Sequence, residues 1–186
     1  MTAALRPEKN HVQLVDAVAS LRARGIPARA LMIGDGETRG AIEARAQARG
    51  VLEHVSITGF EQDVRPFVAA ADVAVLTSFT EALSLAALEA MALGKPVVHS
   101  AVGGAAEIIA PGSTGLLFPV GDTPALVDRL AMLADGPLRS AMGQRARAAV
   151  VKSFSESAMV DAYERLLLKL ASPPRSVSIG LRVSAE

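Results

Sequence analysis

The sequence predicts an α/β protein with a doubly wound, Rossmann-like parallel sheet. Short, unbroken apolar runs alternate with longer stretches of helical periodicity along most of the chain. The runs lack the polar–apolar alternation of a half-exposed strand, so helices should cover both faces of the sheet. Glycines follow several runs and several helical stretches, where turns are expected. Together these features indicate repeated βα units.

The predicted elements can be read in order along the chain. Strands are expected at 28–33, 54–58, 73–76, 97–99 and 115–119. Helices are expected at 10–24, 38–49, 64–71 and 83–93, followed by a short one that ends at Ala110 and by three more at 124–134, 137–151 and 155–170. Residues 1–170 are therefore predicted to form one domain. Residues 171–186 lose the periodicity and are predicted to be an irregular tail.

Composition excludes several classes of function. Of the 186 residues, 19 are Lys or Arg and 19 are Asp or Glu, so the net charge is zero and does not favour a nucleic acid partner. There is no cysteine, which excludes disulfides and thiolate metal sites. The three histidines lack ligand spacing, and no metal is predicted. No signal peptide or membrane span is recognised, so a cytoplasmic protein is expected, although another domain could bring it to a membrane surface.

Ligands of doubly wound sheets bind at the carboxyl ends of the strands. The loop after the first predicted strand is Gly34-Asp35-Gly36, which either lets backbone approach a ligand or is simply a tight turn. The loop after the second contains Gly59-Phe60, which forms either one wall of a pocket or a turn with a core Phe. The loop after the third leads into the helix at 83–93, whose first turn offers free N–H groups to an anion.

That helix carries an unexpected carboxylate. It is apolar all round and should be buried on most sides, yet Glu89 lies in its middle and Glu81 lies just ahead of it. Because helical side chains lean toward the N-terminus, Glu89 could reach the crevice that Glu81 borders. Sugar hydroxyls would be suitable partners for both carboxylates. The alternative is that Glu81 caps the helix and Glu89 meets solvent or an internal Arg.

Two cations precede the first predicted helix. Arg6 and Lys9 lie three residues apart in a loop and could grip a diphosphate. They could equally be ordinary solvated surface charges.

Taken in order, these motifs resemble one family. The motifs are RPEKN at 6–10, GDG at 34–36, TGF at 58–60, AADVAVLTS at 70–78, two glutamates separated by seven residues (an EX7E motif), EAMALGKPVV ending at Val98, VGGAAEII at 102–109 and PGSTGLLFPVGD at 111–122. The sequence is similar to the carboxyl-terminal, donor-binding half of retaining GT-B glycosyltransferases of family 4, also called group 1. The similarity extends over roughly residues 3–170.

The resemblance implies roles for individual residues. Arg6 and Lys9 would bind the diphosphate of a nucleotide sugar, the donor substrate, and Glu81 would face the transferred sugar. Glu89 would hold the ribose hydroxyls. The donor would also meet three other segments of the chain: the backbone amides of Ala82, Leu83 and Ser84 near sugar and phosphate, backbone around Phe60 near the nucleobase, and Gly34 at the border of the cleft. The reaction would retain anomeric configuration and need neither a metal nor another cofactor.

Two departures from the family pattern lead to further expectations. Many relatives have Gly after the first glutamate, where this chain has Ala82, so either this position is strained or the loop adopts ordinary angles. A complete GT-B enzyme also has an amino-terminal acceptor domain, and this chain is expected to begin inside the first strand of the donor domain. We therefore expect weak or no transfer activity for the chain alone and self-association through exposed apolar surface.

Two alternatives stay open at this stage. One is half of a GT-B-like sugar-nucleotide epimerase, which would require catalytic acids and histidines along the cleft. The other is a non-catalytic remnant that binds a nucleotide sugar without transferring it.

Overall fold

The computed structural model describes residues 1–171 of the chain. Its strands are β1 (Ala30–Met32), β2 (Val55–Ile57), β3 (Ala74–Leu76), β4 (Val97–Ser100) and β5 (Gly115–Phe118). All five fall on the predicted strands, and the observed strands are mostly shorter by one or two residues at an end. The α/β class and the order of elements are confirmed.

Eight α-helices connect and follow the strands. They are α1 (His11–Ala23), α2 (Arg39–Ala48), α3 (Arg65–Ala70), α4 (Leu85–Ala92), α5 (Ala105–Ile108), α6 (Thr123–Met132), α7 (Gly136–Ser153) and α8 (Glu156–Ala171). Two short 3-10 turns were not predicted: Pro7–Lys9 occupies a predicted loop, and Leu52–His54 ends on the first residue of the second predicted strand. Asp122 and Asp135 begin α6 and α7 by accepting hydrogen bonds from the backbone amides of Ala125 and Leu138.

The strands pair in parallel but form two separate ladders. β1 pairs with β2, while β3, β4 and β5 form a second sheet in that order. Residues 1–5 lie along β1 on the side away from β2: the Ile33 amide donates to the carbonyl of Met1, and the Ala3 amide donates to that of Ile33. Thr2 and Ile33 form a parallel bridge. The amino-terminal segment therefore occupies part of the space between β1 and β3.

The core divides along the same line. One apolar cluster lies between α1, α6 and the strands and includes Leu14, Val18, Val75 and Phe118. The other lies between α3, α4 and α7 and is centred on Met91 and Val97. Both are built almost entirely from aliphatic side chains, as the scarcity of aromatic residues predicted.

Two expectations about helices need correction. α4 is not buried on most sides: its buried residues are Ala87, Ala90 and Met91, whereas Leu85 is 67% exposed. Because α4 packs on α7 and the second sheet with one face only, its opposite face reaches solvent despite its apolar composition. The predicted tail began at Ala171, but this residue ends α8, and the rest of that segment lies outside the described residues.

Candidate functional site

The two predicted charge features meet at the carboxyl ends of the strands. Lys9 Nζ donates a hydrogen bond of 2.7 Å to Glu81 Oε1, although 72 residues separate them. The two side chains retain 23% and 13% of their accessible surface, so the ion pair is largely buried but still reaches solvent. Ser78 Oγ donates to the same carboxylate oxygen at 2.9 Å. Glu81 is thus fixed by one cation and one hydroxyl.

The loop after β3 holds both partners in place through backbone contacts. Thr77 Oγ1 lies 2.9 Å from the carbonyl oxygens of both Lys9 and Asn10. The Phe79 amide donates to the carbonyl of Glu8, a second hydrogen-bonded contact between the segment around Lys9 and the loop after β3. Asn10 has a φ of 51°, the left-handed conformation that turns the chain into α1. The lysine therefore points at Glu81 because its backbone is bonded to the loop that carries Glu81.

A second loop supports Glu81 from behind. Gly103 and Gly104 approach the backbone of Glu81 and Ala82 so closely that a Cβ on Gly103 would lie 1.7 Å from the Glu81 carbonyl oxygen. The Gly104 amide donates to the Ala82 carbonyl at 2.8 Å. Ser100 Oγ, at the end of β4, donates to the Ser78 carbonyl at 2.7 Å. The ends of β3 and β4 thus hold one rigid polar loop.

The amides predicted to face a donor are free of internal partners. Those of Ala82, Leu83 and Ser84 donate no hydrogen bond to any residue within 1–171. Ser84 caps α4, since its Oγ accepts from the Ala87 amide at 3.3 Å, so the capping role considered for Glu81 belongs to Ser84. Ala82 has no positive φ, which confirms the ordinary backbone angles considered for this departure. Three backbone N–H groups are therefore available beside the carboxylate.

Two predicted residues lie at the surface. Glu89 is on the exposed face of α4, and no described residue forms an ion pair or hydrogen bond with its side chain. Phe60 is 81% exposed, so the reading that made it a core residue is wrong. Its neighbour Gly59 accepts from the Gly34 amide at 2.9 Å, which joins the first two predicted loops. The contacts expected of Glu89 with ribose and of Phe60 with a base stay predictions.

Arg6 and Gly34 complete the predicted set. Arg6 is exposed ahead of the Pro7–Lys9 turn, and within residues 1–171 its guanidinium has no partner. Gly34 has a packing reason for being glycine, because a Cβ there would lie 2.1 Å from the carbonyl oxygen of Ala3. This close approach fixes the amino-terminal segment against the loop and accounts for Gly34 without a ligand.

Two histidines lie beneath the ion pair and were not predicted there. His11 begins α1, is buried, and has no hydrogen-bond partner for either ring nitrogen. Burial, the terminal ammonium and Lys9 lower the pKa of His11 to about 4. His99 is the third residue of β4; its Nδ1 lies 2.7 Å from the Ser100 carbonyl oxygen, and burial lowers the pKa of this ring as well. Neither ring opens to the cleft, where an epimerase would need its histidines.

Several supporting residues left only a weak signal in the sequence. Thr77, Ser78 and Ser100 are polar residues at the ends of apolar strands, and all three are buried. The Gly103-Gly104 pair lies within the VGGAAEII motif, but its close packing against Glu81 and Ala82 was not predicted. Residues 1–171 contain no group of three or more His, Asp or Glu side chains that could hold a metal ion, and none of their helices is long and apolar enough to span a membrane.

Comparison with known families matches most of the chain to one of them. The family described as glycosyl transferases group 1 matches residues 1–149. The lipopolysaccharide core biosynthesis glycosyltransferase LpsE of Rhizobium meliloti (strain 1021) is 36% identical over 137 residues, which are 73% of this chain and 40% of that protein. The N-acetyl-alpha-D-glucosaminyl L-malate synthase of Bacillus anthracis is 34% identical over 142 residues, 76% of this chain and 37% of that protein.

Solved structures show the same fold. The sucrose-phosphate synthase of Thermosynechococcus elongatus superposes with a TM-score of 0.79 at 30% identity, over 90% of this chain and 44% of that one. Anabaena Alr3699/HepE, crystallised in complex with UDP-glucose, gives a TM-score of 0.81 at 26% identity over 90% of this chain and 47% of that one. The chain spans about two fifths of the length of the curated relatives described above.

Proposed function

Because the chain belongs to the group 1 glycosyl transferases, we propose that it binds the nucleotide-sugar donor of a glycosyltransferase. The observation that carries the proposal is the Lys9–Glu81 pair at 2.7 Å, with three free amides beside it. A cation and backbone N–H groups suit a diphosphate, and a carboxylate suits sugar hydroxyls. A solved relative supports the same proposal, since Alr3699/HepE was crystallised in complex with UDP and with UDP-glucose.

Different residues bind different parts of the donor. Lys9 and the exposed Arg6 bind the diphosphate, together with the amides of Ala82, Leu83 and Ser84. Glu81 then exchanges its hydrogen bond from Lys9 for hydrogen bonds from the sugar. The hydrogen bond that Ser78 donates to Glu81 is kept. Glu89 holds the ribose, and backbone at Phe60 and Gly34 borders the base and the cleft.

The same groups account for the chemistry. Breaking the glycosidic bond builds negative charge on the departing nucleoside diphosphate, and preorganised cations and amides stabilise that charge in the transition state. Transfer proceeds with retention of configuration and without a divalent metal, because Arg6 and Lys9 supply the positive charge. An acceptor domain outside these residues receives the sugar, and exposed apolar surface drives self-association in its absence. In the full-length enzyme that domain would work at the cytoplasmic membrane surface.

A binding screen tests the proposal directly. UDP, GDP, ADP and their sugars are titrated calorimetrically into the chain, with EDTA present and absent. At least one nucleotide sugar should bind equally well in both buffers. Arg6→Ala, Lys9→Ala, Glu81→Gln and Glu89→Gln should each weaken that binding, because each removes a charge that contacts the donor.

A matched control distinguishes the effect of the candidate site from that of general surface charge. Arg39 and Glu43 form an exposed ion pair at 3.0 Å within α2. Arg39→Ala and Glu43→Gln change the net charge in the same way as the test variants and should leave donor affinity unchanged. If no nucleotide sugar binds, or if the four test variants bind as the controls do, the proposal is wrong.

A further inference from the structure

Two consecutive hydroxyl side chains follow β3 and point to opposite faces of the second sheet. Val75 belongs to the apolar cluster beside α1 and α6, and Leu76 belongs to the cluster beside α4 and α7. Because side chains alternate along an extended chain, Thr77 continues the first face and Ser78 the second. Both residues are fully buried, so each hydroxyl needs a partner inside the protein.

The partner of the Thr77 hydroxyl is the backbone that carries Lys9. Its Oγ1 lies 2.9 Å from the carbonyl oxygen of Lys9 and 2.9 Å from that of Asn10, so one hydroxyl proton is shared between two consecutive carbonyls. A third neighbour, the Met1 sulfur at 3.7 Å, is a weak acceptor. The hydroxyl therefore acts on the peptide groups at both ends of Asn10.

The backbone between those two carbonyls needs support. Asn10 has a φ of 51° and is the one non-glycine residue within 1–171 that has a positive φ. Such a conformation persists where surrounding contacts hold it. The Asn10 side chain donates to Gln13 Oε1, and the Asn10 carbonyl accepts from the Gln13 amide, but both contacts lie within the turn and α1. Among the described residues, the Thr77 hydroxyl is what connects Asn10 to the loop after β3.

We propose that Thr77 is a positioning residue of the candidate site: it fixes the backbone at Lys9 and thereby the place of the ammonium. Ser78 fixes the other member of the ion pair, because its Oγ donates to the Glu81 carboxylate. The two neighbouring hydroxyls together set the 2.7 Å separation between the cation and the carboxylate. Ser100 anchors the arrangement to β4, since its Oγ donates to the Ser78 carbonyl at 2.7 Å.

Thr77 would consequently affect diphosphate binding without touching the donor. This consequence rests on the proposed function, in which Lys9 leaves Glu81 for the diphosphate. While the backbone at Lys9 stays fixed, only the torsions of its side chain change in that exchange. A loosened backbone would have to be ordered again on binding, and the cost would weaken the affinity.

The position of the Lys9 ammonium can be measured without any ligand, by NMR of the lysine ammonium groups. In the native chain its protons should exchange with solvent at least about fivefold more slowly than those of the exposed Lys152, because they are bonded to Glu81. Thr77→Val keeps the branched side chain and removes the hydroxyl, and it should reduce this ratio to about two or less. Thr77→Ser keeps the hydroxyl and should restore the native ratio.

Thr114→Val is the matched control. Thr114 is also buried, and its Oγ1 accepts from the Ala110 amide at 2.9 Å in the loop before β5, at the amino ends of the strands. This substitution likewise leaves a backbone group without its hydroxyl partner, but it should leave the exchange of the Lys9 ammonium unchanged. Thr77→Ala makes the same test with a smaller side chain should Thr77→Val not fold.

A double-mutant cycle tests the consequence for binding. Thr77→Val should weaken the affinity for a nucleoside diphosphate by about five- to tenfold in calorimetric titrations. In the Lys9→Ala background the same substitution should weaken it by less than about twofold, because Thr77 acts through Lys9. A general structural defect would weaken binding equally in both backgrounds.

Two outcomes would overturn the proposal. One is a Lys9 ammonium that exchanges in the Thr77 variants as it does in the native chain. The other is an equal loss of affinity with and without Lys9. A native chain that binds no nucleotide would overturn the proposed function alone, because the ammonium measurement still decides whether Thr77 positions Lys9.

Discussion

The two ends of the gap between β1 and β3 differ sharply in chemistry. At the carboxyl ends the chain supplies its own partners: Thr77, Ser78 and Ser100 bond the loops to one another, and Lys9 bonds to Glu81. At the amino ends a largely apolar groove of about 570 Å³ lies between β1 and β3, which do not pair with each other. The polar end is held together by contacts within residues 1–104, whereas among the described residues the apolar end has no hydrogen bonds between the two strands.

The comparison distinguishes the polar loops, which would bind a ligand, from the apolar contacts, which stabilise the domain. The candidate site depends on short contacts between loops that are adjacent in space and complete in this chain. The apolar clusters on either side of the gap are contacts of helices with strands and lie away from these loops. Changes at the polar end should therefore act mainly on ligand binding, with stability affected chiefly where two loops touch.

The largest expected effect comes from Gly103, where the two supporting loops touch. Gly103→Ala places a Cβ 1.7 Å from the Glu81 carbonyl oxygen at a φ of 50°, so the Glu81 loop must move. We expect a loss of about 3 kcal/mol in the free energy of unfolding, measured by urea denaturation. Gly112→Ala is the matched control, because Gly112 also has a positive φ of 78° but nothing within 4 Å. A cost at Gly112 equal to that at Gly103 would show that loop contact is irrelevant.

The pH dependence of the free energy of unfolding reports on the buried His11 beneath the ion pair. Because the pKa of His11 is lowered from 6.5 to about 4, the unfolded chain binds more protons than the folded chain between these values. The buried Met1 amine, whose pKa is lowered from 8.0 to about 5, makes stability fall already from about pH 8. The contribution of His11 is complete above pH 6.5 and falls by about 3 kcal/mol as the pH drops to 4. His11→Leu should remove most of this fall. The free energy of unfolding is measured by urea denaturation at several pH values. If it falls with decreasing pH as steeply in that variant as in the native chain, His11 does not carry the effect.

Lys9→Ala should act more on binding than on folding. Ser78 still donates to Glu81 in this variant, which limits the loss of stability, whereas the ammonium would form a charge-assisted hydrogen bond with the diphosphate. We expect nucleoside diphosphate affinity to fall by about 10- to 100-fold in calorimetric titrations. Lys152→Ala removes the same charge from an exposed position on α7 and should have no effect. A comparable loss for both variants would reduce the role of Lys9 to general surface charge.

Ser78→Ala is the mildest test of the polar end. It removes the hydroxyl that donates to Glu81 at 2.9 Å and leaves the backbone contact with Ser100 in place. Nucleotide-sugar affinity should fall by about five- to tenfold, since one ordinary hydrogen bond that orients the carboxylate is lost. Ser78→Thr keeps the hydroxyl and should recover affinity if the added methyl is accommodated. Failure of both variants by equal amounts would point to packing instead of orientation.

Local sequence predicted the elements well because local chemistry determines them. The predicted runs of three to six residues contain the observed strands of three or four, and helices such as α1, α2 and α8 begin and end within about two residues of their predicted limits. The split of the sheet was not predicted as such, because pairing between β1 and β3 depends on what lies between them. The face of α4 was predicted wrongly, because composition does not reveal which side of a helix meets a neighbour.

The site was predictable only in part for the same reason. Arg6, Lys9, Glu81 and Glu89 could be named from charge and motif, but the contact between Lys9 and Glu81 joins segments 72 residues apart. Ser78 and Gly103 were missed as supports, because a serine after a strand and a glycine pair before a helix each have ordinary local explanations. His99 acquires its environment only when β4 is placed between β3 and β5.

The central claim is that Lys9 binds the diphosphate of the donor and that Glu81 binds its sugar. Calorimetry on Glu81→Gln, with a nucleotide sugar and with the matching nucleoside diphosphate, tests this division most directly. We predict that the sugar-bearing ligand binds at least tenfold more weakly than to the native chain. The plain diphosphate should bind as tightly as before or more tightly, because Lys9 is released from its carboxylate. Equal weakening of both ligands, or no change in either, would contradict the account.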